Sequence, residues 1–137
     1  HFGGESGLQG KTIAFWGLAF KPRTDDIRKA PALTLVRKSL GYGVTCRGYD
    51  PVAAANVTKE MGDTIEIFDD LYECAKGADA LVISTDWAEF KSPDFEKLAK
   101  VMNAKVIFDG RNLYRRQQLD DLGFYYYSVG RSPVKPA

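Results

Sequence analysis

Two cysteines and one histidine are all that 137 residues offer for thiol chemistry or for a cysteine–histidine zinc site. Cys46 and Cys74 lie far apart in apolar stretches with no C-x-x-C spacing. A structural zinc site and a disulfide framework are therefore not expected, and a reduced, cytoplasmic setting is the simplest one. Neither cysteine has a histidine or a cluster of lysines beside it to hold a thiolate, so both read as inert core residues. An excess of one charge is also missing, since 19 lysines and arginines stand against 18 aspartates and glutamates. A nucleic-acid footprint would need a strongly basic face, so nucleic acid is not an expected partner, although single cations can still bind a small anion. No apolar run nears the roughly 20 residues that span a bilayer, and no signal-peptide pattern is visible. A membrane is therefore not an expected partner either. The chain starts at His1, which reads as a piece of a longer chain.

What is present is a regular alternation. Thr12 to Phe20 (TIAFWGLAF) is a nearly continuous apolar run, as expected of a strand buried on both faces of a parallel sheet. After the polar loop from Lys21 to Ala30, Pro31 stands at a first helical position. Leu33, Val36 and Leu40 follow at helical spacing up to Gly41. Further strands are expected at 44–49, 65–68, 80–85, 105–108 and 125–129. Helices are expected over 53–61, behind the D-x-x-E signal of Asp70 and Glu73, after Ser92-Pro93, and around Leu119 and Leu122. Strands alternating with helices predict a three-layer α/β sandwich with a mostly parallel, Rossmann-like sheet and right-handed crossovers. Residues 1–10 read as a linker or the end of a preceding element, 11–131 as one domain, and 132–137 as an aperiodic, mobile tail.

In such sheets ligands bind beyond the carboxyl ends of the strands. The residues following the strands there include Lys21 and Arg28, Asp50, Asp86 and Trp87, and Asp109-Gly110-Arg111-Asn112. Cations, carboxylates and an aromatic side chain suit a ligand carrying phosphates, hydroxyls and a flat ring. Asp50 can be read as the acid that holds a ribose, or as a turn residue closing a strand. The G-x-G-x-x-G turn is absent and Gly17 stands alone, which favours the turn. Lys21, Arg28 and Arg111 can be anion ligands or solvated loop residues, with Arg111 paired to Asp109 at the surface in the second case. Trp87 can stack on a base or, the favoured reading, pack its loop against the sheet. Tyr125, Tyr126 and Tyr127 read as the two faces of the last strand.

Five ordered blocks give these positions a context: GKTIAFWGLAFKPRTDDIR (10–28), GYDPVA (48–53), GADALVISTDWAEF (77–90), VIFDGRNLY (106–114) and GFYYYSVGR (123–131). Together they resemble the C-terminal nucleotide-sugar-binding domain of UDP-glucose 6-dehydrogenases. The resemblance implies a sheet order of about 3-2-1-4-5 with an extra edge strand. It also implies an N-terminal NAD-binding domain and a long central helix elsewhere in the enzyme, and a homodimer. The implied reaction oxidises UDP-glucose twice, to UDP-glucuronate, with two NAD reduced, through a cysteine-bound thiohemiacetal and thioester. By position, Phe20, Lys21 and Arg111 would bind the UDP-sugar and Arg28 would reach the NAD. The family's cysteine motif is missing: Phe2-Gly3-Gly4 matches its first letters, but Glu5-Ser6-Gly7 follow. The chain alone is therefore expected to contain no catalytic residue and to bind without turnover. Lys29 stands where the family has an acid after the arginine, which bears on how Arg28 is oriented. Two other functions stay open: the same domain for another nucleotide sugar (a UDP-N-acetyl sugar or a GDP-mannose derivative), and a mainly structural, dimer-contact domain.

Overall fold

A computed structural model describes residues 5–19 and 30–136. Six strands form one sheet: β1 (Thr12–Trp16), β2 (Thr45–Tyr49), β3 (Ile65–Ile67), β4 (Ala80–Ile83), β5 (Val106–Asp109) and β6 (Tyr125–Ser128). Their order is β3-β2-β1-β4-β5-β6, with every neighbouring pair parallel. This is the expected order, and β6 is the extra edge strand.

Seven helices accompany the described strands: α1 (Glu5–Leu8), α2 (Pro31–Gly41), α3 (Ala54–Met61), α4 (Leu71–Ala75), α5 (Ala88–Lys91), α6 (Phe95–Val101) and α7 (Arg116–Asp121). The period-two alternation of the strands sorts the core into two layers. Ile13, Phe15, Ala80 and Val106 pack with Ala32, Leu33 and Val36 of α2 and Val57 and Met61 of α3. Ala14, Trp16, Leu81, Ile83 and Ile107 face the other way, toward Cys74 of α4, Phe90 of α5, Leu98 of α6 and Leu119 of α7. The sandwich thus has α2 and α3 on one face and α4 to α7 on the other.

Several elements differ from the expected ones for local reasons. β1 ends at Trp16 rather than Phe20, because Gly17 takes φ +91° and the next two N–H groups, those of Leu18 and Ala19, go to the Asp50 carboxylate instead of to a neighbouring strand. α6 starts after Asp94, whose carboxylate accepts from the Lys97 N–H at 3.0 Å, so Ser92-Pro93 joins two helices instead of opening one. The D-x-x-E signal does mark a helix start: Asp70 accepts from the N–H groups of Tyr72 and Glu73, both at 2.9 Å. The tail read as mobile runs back along β6, where Val134 exchanges two backbone hydrogen bonds with Tyr126 at 3.0 and 2.8 Å and is buried. The segment read as a linker is partly docked too, since Leu8 packs on the α2 layer and Gly10 donates to the Gly43 carbonyl. Among the described residues no helix is long and apolar enough to cross a membrane.

Candidate functional site

Two buried aspartates organise the carboxyl edge of the sheet. Asp50 follows β2 and is 4% exposed. Its Oδ2 accepts the N–H groups of Leu18 at 2.8 Å and Ala19 at 3.2 Å. Its Oδ1 accepts those of Val52 at 2.9 Å and Ala53 at 2.8 Å. One carboxylate thus ties the turn after β1 to the start of α3, and four charge-assisted bonds compensate its desolvation. Both oxygens are engaged, so Asp50 is the strand-closing residue and not a ribose ligand.

Asp109 ends β5 and is 2% exposed. Its Oδ1 accepts the Arg111 N–H at 2.8 Å, and its Oδ2 accepts the Leu113 N–H and the Tyr126 hydroxyl, both at 2.6 Å. Asp109 therefore binds the backbone of Arg111, not its guanidinium, and the surface pairing considered from sequence does not form. The guanidinium lies 3.9 Å from Asp86, half-exposed. In exposed pairs of this kind the attraction is weak, about 0–1 kcal/mol, which leaves the cation available. Asn112 supplies the left-handed step of this loop at φ 56° and donates from Nδ2 to the Val129 carbonyl at 3.1 Å. Gly110 lets the loop lie close to β4: an added Cβ would sit 3.3 Å from the Ile83 carbonyl oxygen.

The strand order reverses between β1 and β4, which is where doubly wound sheets open a crevice. Gly17 is essential to the geometry there, because a Cβ on it would meet the Thr85 hydroxyl and would stand 3.0 Å from the Thr85 backbone nitrogen. Beside this point, Ser84 Oγ, Thr85 Oγ1 and Trp87 Nε1 are buried without a hydrogen-bond partner among the described residues. Such groups are uncommon and each calls for a reason. A groove of about 420 Å3 runs along the same edge, lined by Pro31, Val82, Ser84, Phe108, Arg111 and Tyr127 among others. The rings of Phe108 and Tyr127 stack at 4.9 Å.

Of the residues singled out by sequence, Arg111 stands at this edge. Phe20, Lys21 and Arg28 lie outside the described residues. Trp87 packs against the α4–α7 side of the core, the favoured alternative. Cys46 and Cys74 are buried and free. Burial pushes their thiols up to about 11 and about 12, so neither is a thiolate at neutral pH. The described residues do not make a dinucleotide site: the turn after β1 carries one glycine, and the acid after β2 is saturated by backbone donors. Sequence reasoning missed the Tyr126 hydroxyl on Asp109 and the Arg131 Nη2 that donates to that hydroxyl at 2.9 Å. The signal for Asp50 and Asp109 was present, as an aspartate closing each of two apolar strands.

Fold and edge together define a doubly wound α/β domain with its switch point between β1 and β4 and a groove along the carboxyl ends of β4, β5 and β6. A family model described as "UDP-glucose/GDP-mannose dehydrogenase family, UDP binding domain" matches residues 14–116. The chain belongs to that family, as its UDP-binding domain. The UDP-glucose 6-dehydrogenase of Pseudomonas aeruginosa is 44% identical over 128 residues, covering 90% of this chain and 28% of that protein. The UDP-glucose 6-dehydrogenase TuaD of Bacillus subtilis is 37% identical over 128 residues, covering 93% of this chain and 28% of that protein. Among solved structures, the UDP-D-ManNAc dehydrogenase of Pyrococcus horikoshii is 36% identical at TM-score 0.69, with 88% of this chain and 26% of that one covered. The NDP-N-acetyl-D-galactosaminuronic acid dehydrogenase of Methanosarcina mazei is 27% identical at TM-score 0.76, with 91% and 26% covered. The chain thus spans 28% of the length of these curated relatives.

Proposed function

We propose that this chain is the nucleotide-sugar-binding domain of an NAD-dependent UDP-glucose 6-dehydrogenase, a cytoplasmic homodimer that converts UDP-glucose to UDP-glucuronate. Arg111, with Phe20 and Lys21, binds the UDP-sugar. Arg28 reaches NAD held by the N-terminal domain, and NAD supplies the hydride acceptor when bound there. The supporting observation is the matched use of Asp50 and Asp109. Each buried carboxylate fixes the backbone of one loop at the same sheet edge: the turn that leads into Phe20 and Lys21, and the loop that carries Arg111. Loops braced in this way present cations to a pyrophosphate without a large ordering cost on binding. Arginine's fork pairs with two oxygens at once, and lysine adds a compact charge. The polar atoms of Ser84, Thr85 and Trp87, which have no partner among the described residues, support a site completed by a ligand or by the rest of the enzyme.

The raised thiols also support a division of labour in which this domain binds and another part supplies the nucleophile. The test uses the full-length enzyme. Lys21→Ala and Arg111→Ala should each raise the dissociation constant for UDP-glucose about tenfold, since charge-assisted hydrogen bonds contribute roughly 1.5–3 kcal/mol and 1.4 kcal/mol is one decade. The melting temperature should stay within about 2 °C, as a charged side chain that serves binding adds little to the core. Normal binding by both variants would refute the site. Calorimetry with UDP-glucose, a UDP-N-acetyl sugar and GDP-mannose assigns the ligand, and tightest binding of either of the last two would refute the UDP-glucose assignment.

A further inference from the structure

Among the described residues, the guanidinium of Arg111 has one ion pair, a loose one to Asp86 at 3.9 Å. Its position is therefore set by the loop beneath it. That loop is held with unusual completeness. The N–H groups of Arg111 and Leu113 point to Asp109, at 2.8 and 2.6 Å, and the Tyr114 N–H points to the Tyr126 hydroxyl at 3.4 Å. The Tyr126 hydroxyl in turn donates to Asp109 at 2.6 Å and accepts from Arg131 Nη2 at 2.9 Å. One phenol thus uses its single donor and both acceptor sites. Arg131 Nη2 also donates to the Tyr114 carbonyl at 3.3 Å, and its Nε donates to Ser128 Oγ at 2.9 Å. The guanidinium lies 5.6 Å from the centroid of the Tyr126 ring. A phenylalanine would fill the volume of Tyr126, which is 1% exposed. The hydroxyl therefore serves the network rather than the packing, since an unpaired buried hydroxyl is costly.

We propose that Tyr126 and Arg131 are positioning residues for nucleotide-sugar binding, acting through Asp109 and the 110–114 loop on Arg111. Both lie beyond residues 14–116, which the family model matches. The proposal rests on the reading of Arg111 as a UDP-sugar ligand. Arg131 donates to the phenol and the loop carbonyl, the phenol donates to the carboxylate, and the carboxylate fixes the Arg111 backbone. Removing one link leaves the arginine present but displaced, and small displacements of a positioning group have large effects on a bound complex.

The experiment is a double-mutant cycle in the full-length enzyme, with Tyr126→Phe, Arg111→Ala and the pair, reading kcat and KM for UDP-glucose and for NAD. Tyr126→Phe should raise KM for UDP-glucose about fivefold to tenfold, while kcat and KM for NAD change less than about threefold, the split expected when only binding is lost. In the Arg111→Ala background the same change should add less than about twofold, because residues acting through one another are not additive. A full further effect in that background would overturn the proposal. So would normal KM in Tyr126→Phe beside an impaired Arg111→Ala, which leaves the site reading standing. Normal KM in Arg111→Ala would overturn both. Arg131→Met, which keeps the Tyr126–Asp109 bond, repeats the cycle if Tyr126→Phe does not fold.

Discussion

Replacing Asp50 by asparagine changes one oxygen to an NH2 group and leaves shape and volume nearly intact. The effect is therefore one of hydrogen bonding and of the lost negative charge, not of packing. Asp50 accepts four backbone N–H groups, two on each oxygen. Asparagine can satisfy one pair and must turn its NH2 toward the other, so two buried donors lose their acceptor. At roughly 1–3 kcal/mol for each such group, and allowing for relaxation, the loss is about 3 kcal/mol. For a domain of this size that is a fall in melting temperature of roughly 10 °C. Asp70 is the control: its Oδ2 alone accepts both of its capping bonds, and the site is exposed. Asparagine caps a helix about as well as aspartate, so Asp70→Asn should cost less than about 0.5 kcal/mol. Urea unfolding of the isolated chain and its two variants measures both. Equal losses in the two variants, or a loss below about 1 kcal/mol for Asp50→Asn, would refute the reasoning.

Gly17→Ala should destabilise by about 2–4 kcal/mol, since it combines a left-handed residue with the contact on Thr85; adding Thr85→Ala should recover part of this in the same unfolding assay, and no recovery would place the strain elsewhere. Arg28→Ala in the full-length enzyme should raise KM for NAD more than KM for the sugar, and the opposite ratio would move Arg28 into the sugar site. Alkaline pH should weaken the fold. Burial first, with Asp109 and Glu89 adding to it, raises the Tyr126 and Tyr49 phenols from 10.0 to about 12, and burial raises Cys46 and Cys74 from 9.0 to about 11 and about 12. The fold holds these protons longer than the unfolded chain does. Stability from them is complete below pH 9 and is lost as pH rises through 11 to 12. A melting temperature unchanged from pH 8 to 11 would contradict this.

Nearly every strand was legible in the sequence, because buried parallel strands such as TIAFW and ALVI read as short, unbroken apolar runs between helical periods, whereas the sheet order followed from the family resemblance and not from these runs. Ends were less legible where a single contact decides them. The apolar letters after Trp16 continue to Phe20, but the chain leaves the sheet at Gly17 because Asp50, about thirty residues on, captures the next two N–H groups. No local pattern encodes that. Likewise the tail is short of periodicity, and its antiparallel bridge to Tyr126 together with the burial of Val134 places it against β6. At the site, the cation Arg111 stood out by its place in FDGRN. The roles of Tyr126 and Arg131 did not, because three consecutive tyrosines look the same until the strand pairing puts the middle hydroxyl beside Asp109.

The two aspartates also explain how such a domain can be stable while its binding residues sit in loops. Conformational entropy opposes ordering any loop, at about 1–2 kcal/mol per residue. Here the order is supplied from below. Asp50 and Asp109 are core residues by burial but acceptors by chemistry, and between them they fix the backbone of Leu18, Ala19, Val52, Ala53, Arg111 and Leu113. None of those bonds uses a side chain that a ligand would need. The Arg111 guanidinium stays half-exposed because its backbone, rather than its head group, is what the fold holds. On the proposed reading such an edge separates stability from affinity: changes to the carboxylates should move both, whereas a change to the Arg111 side chain should move affinity alone.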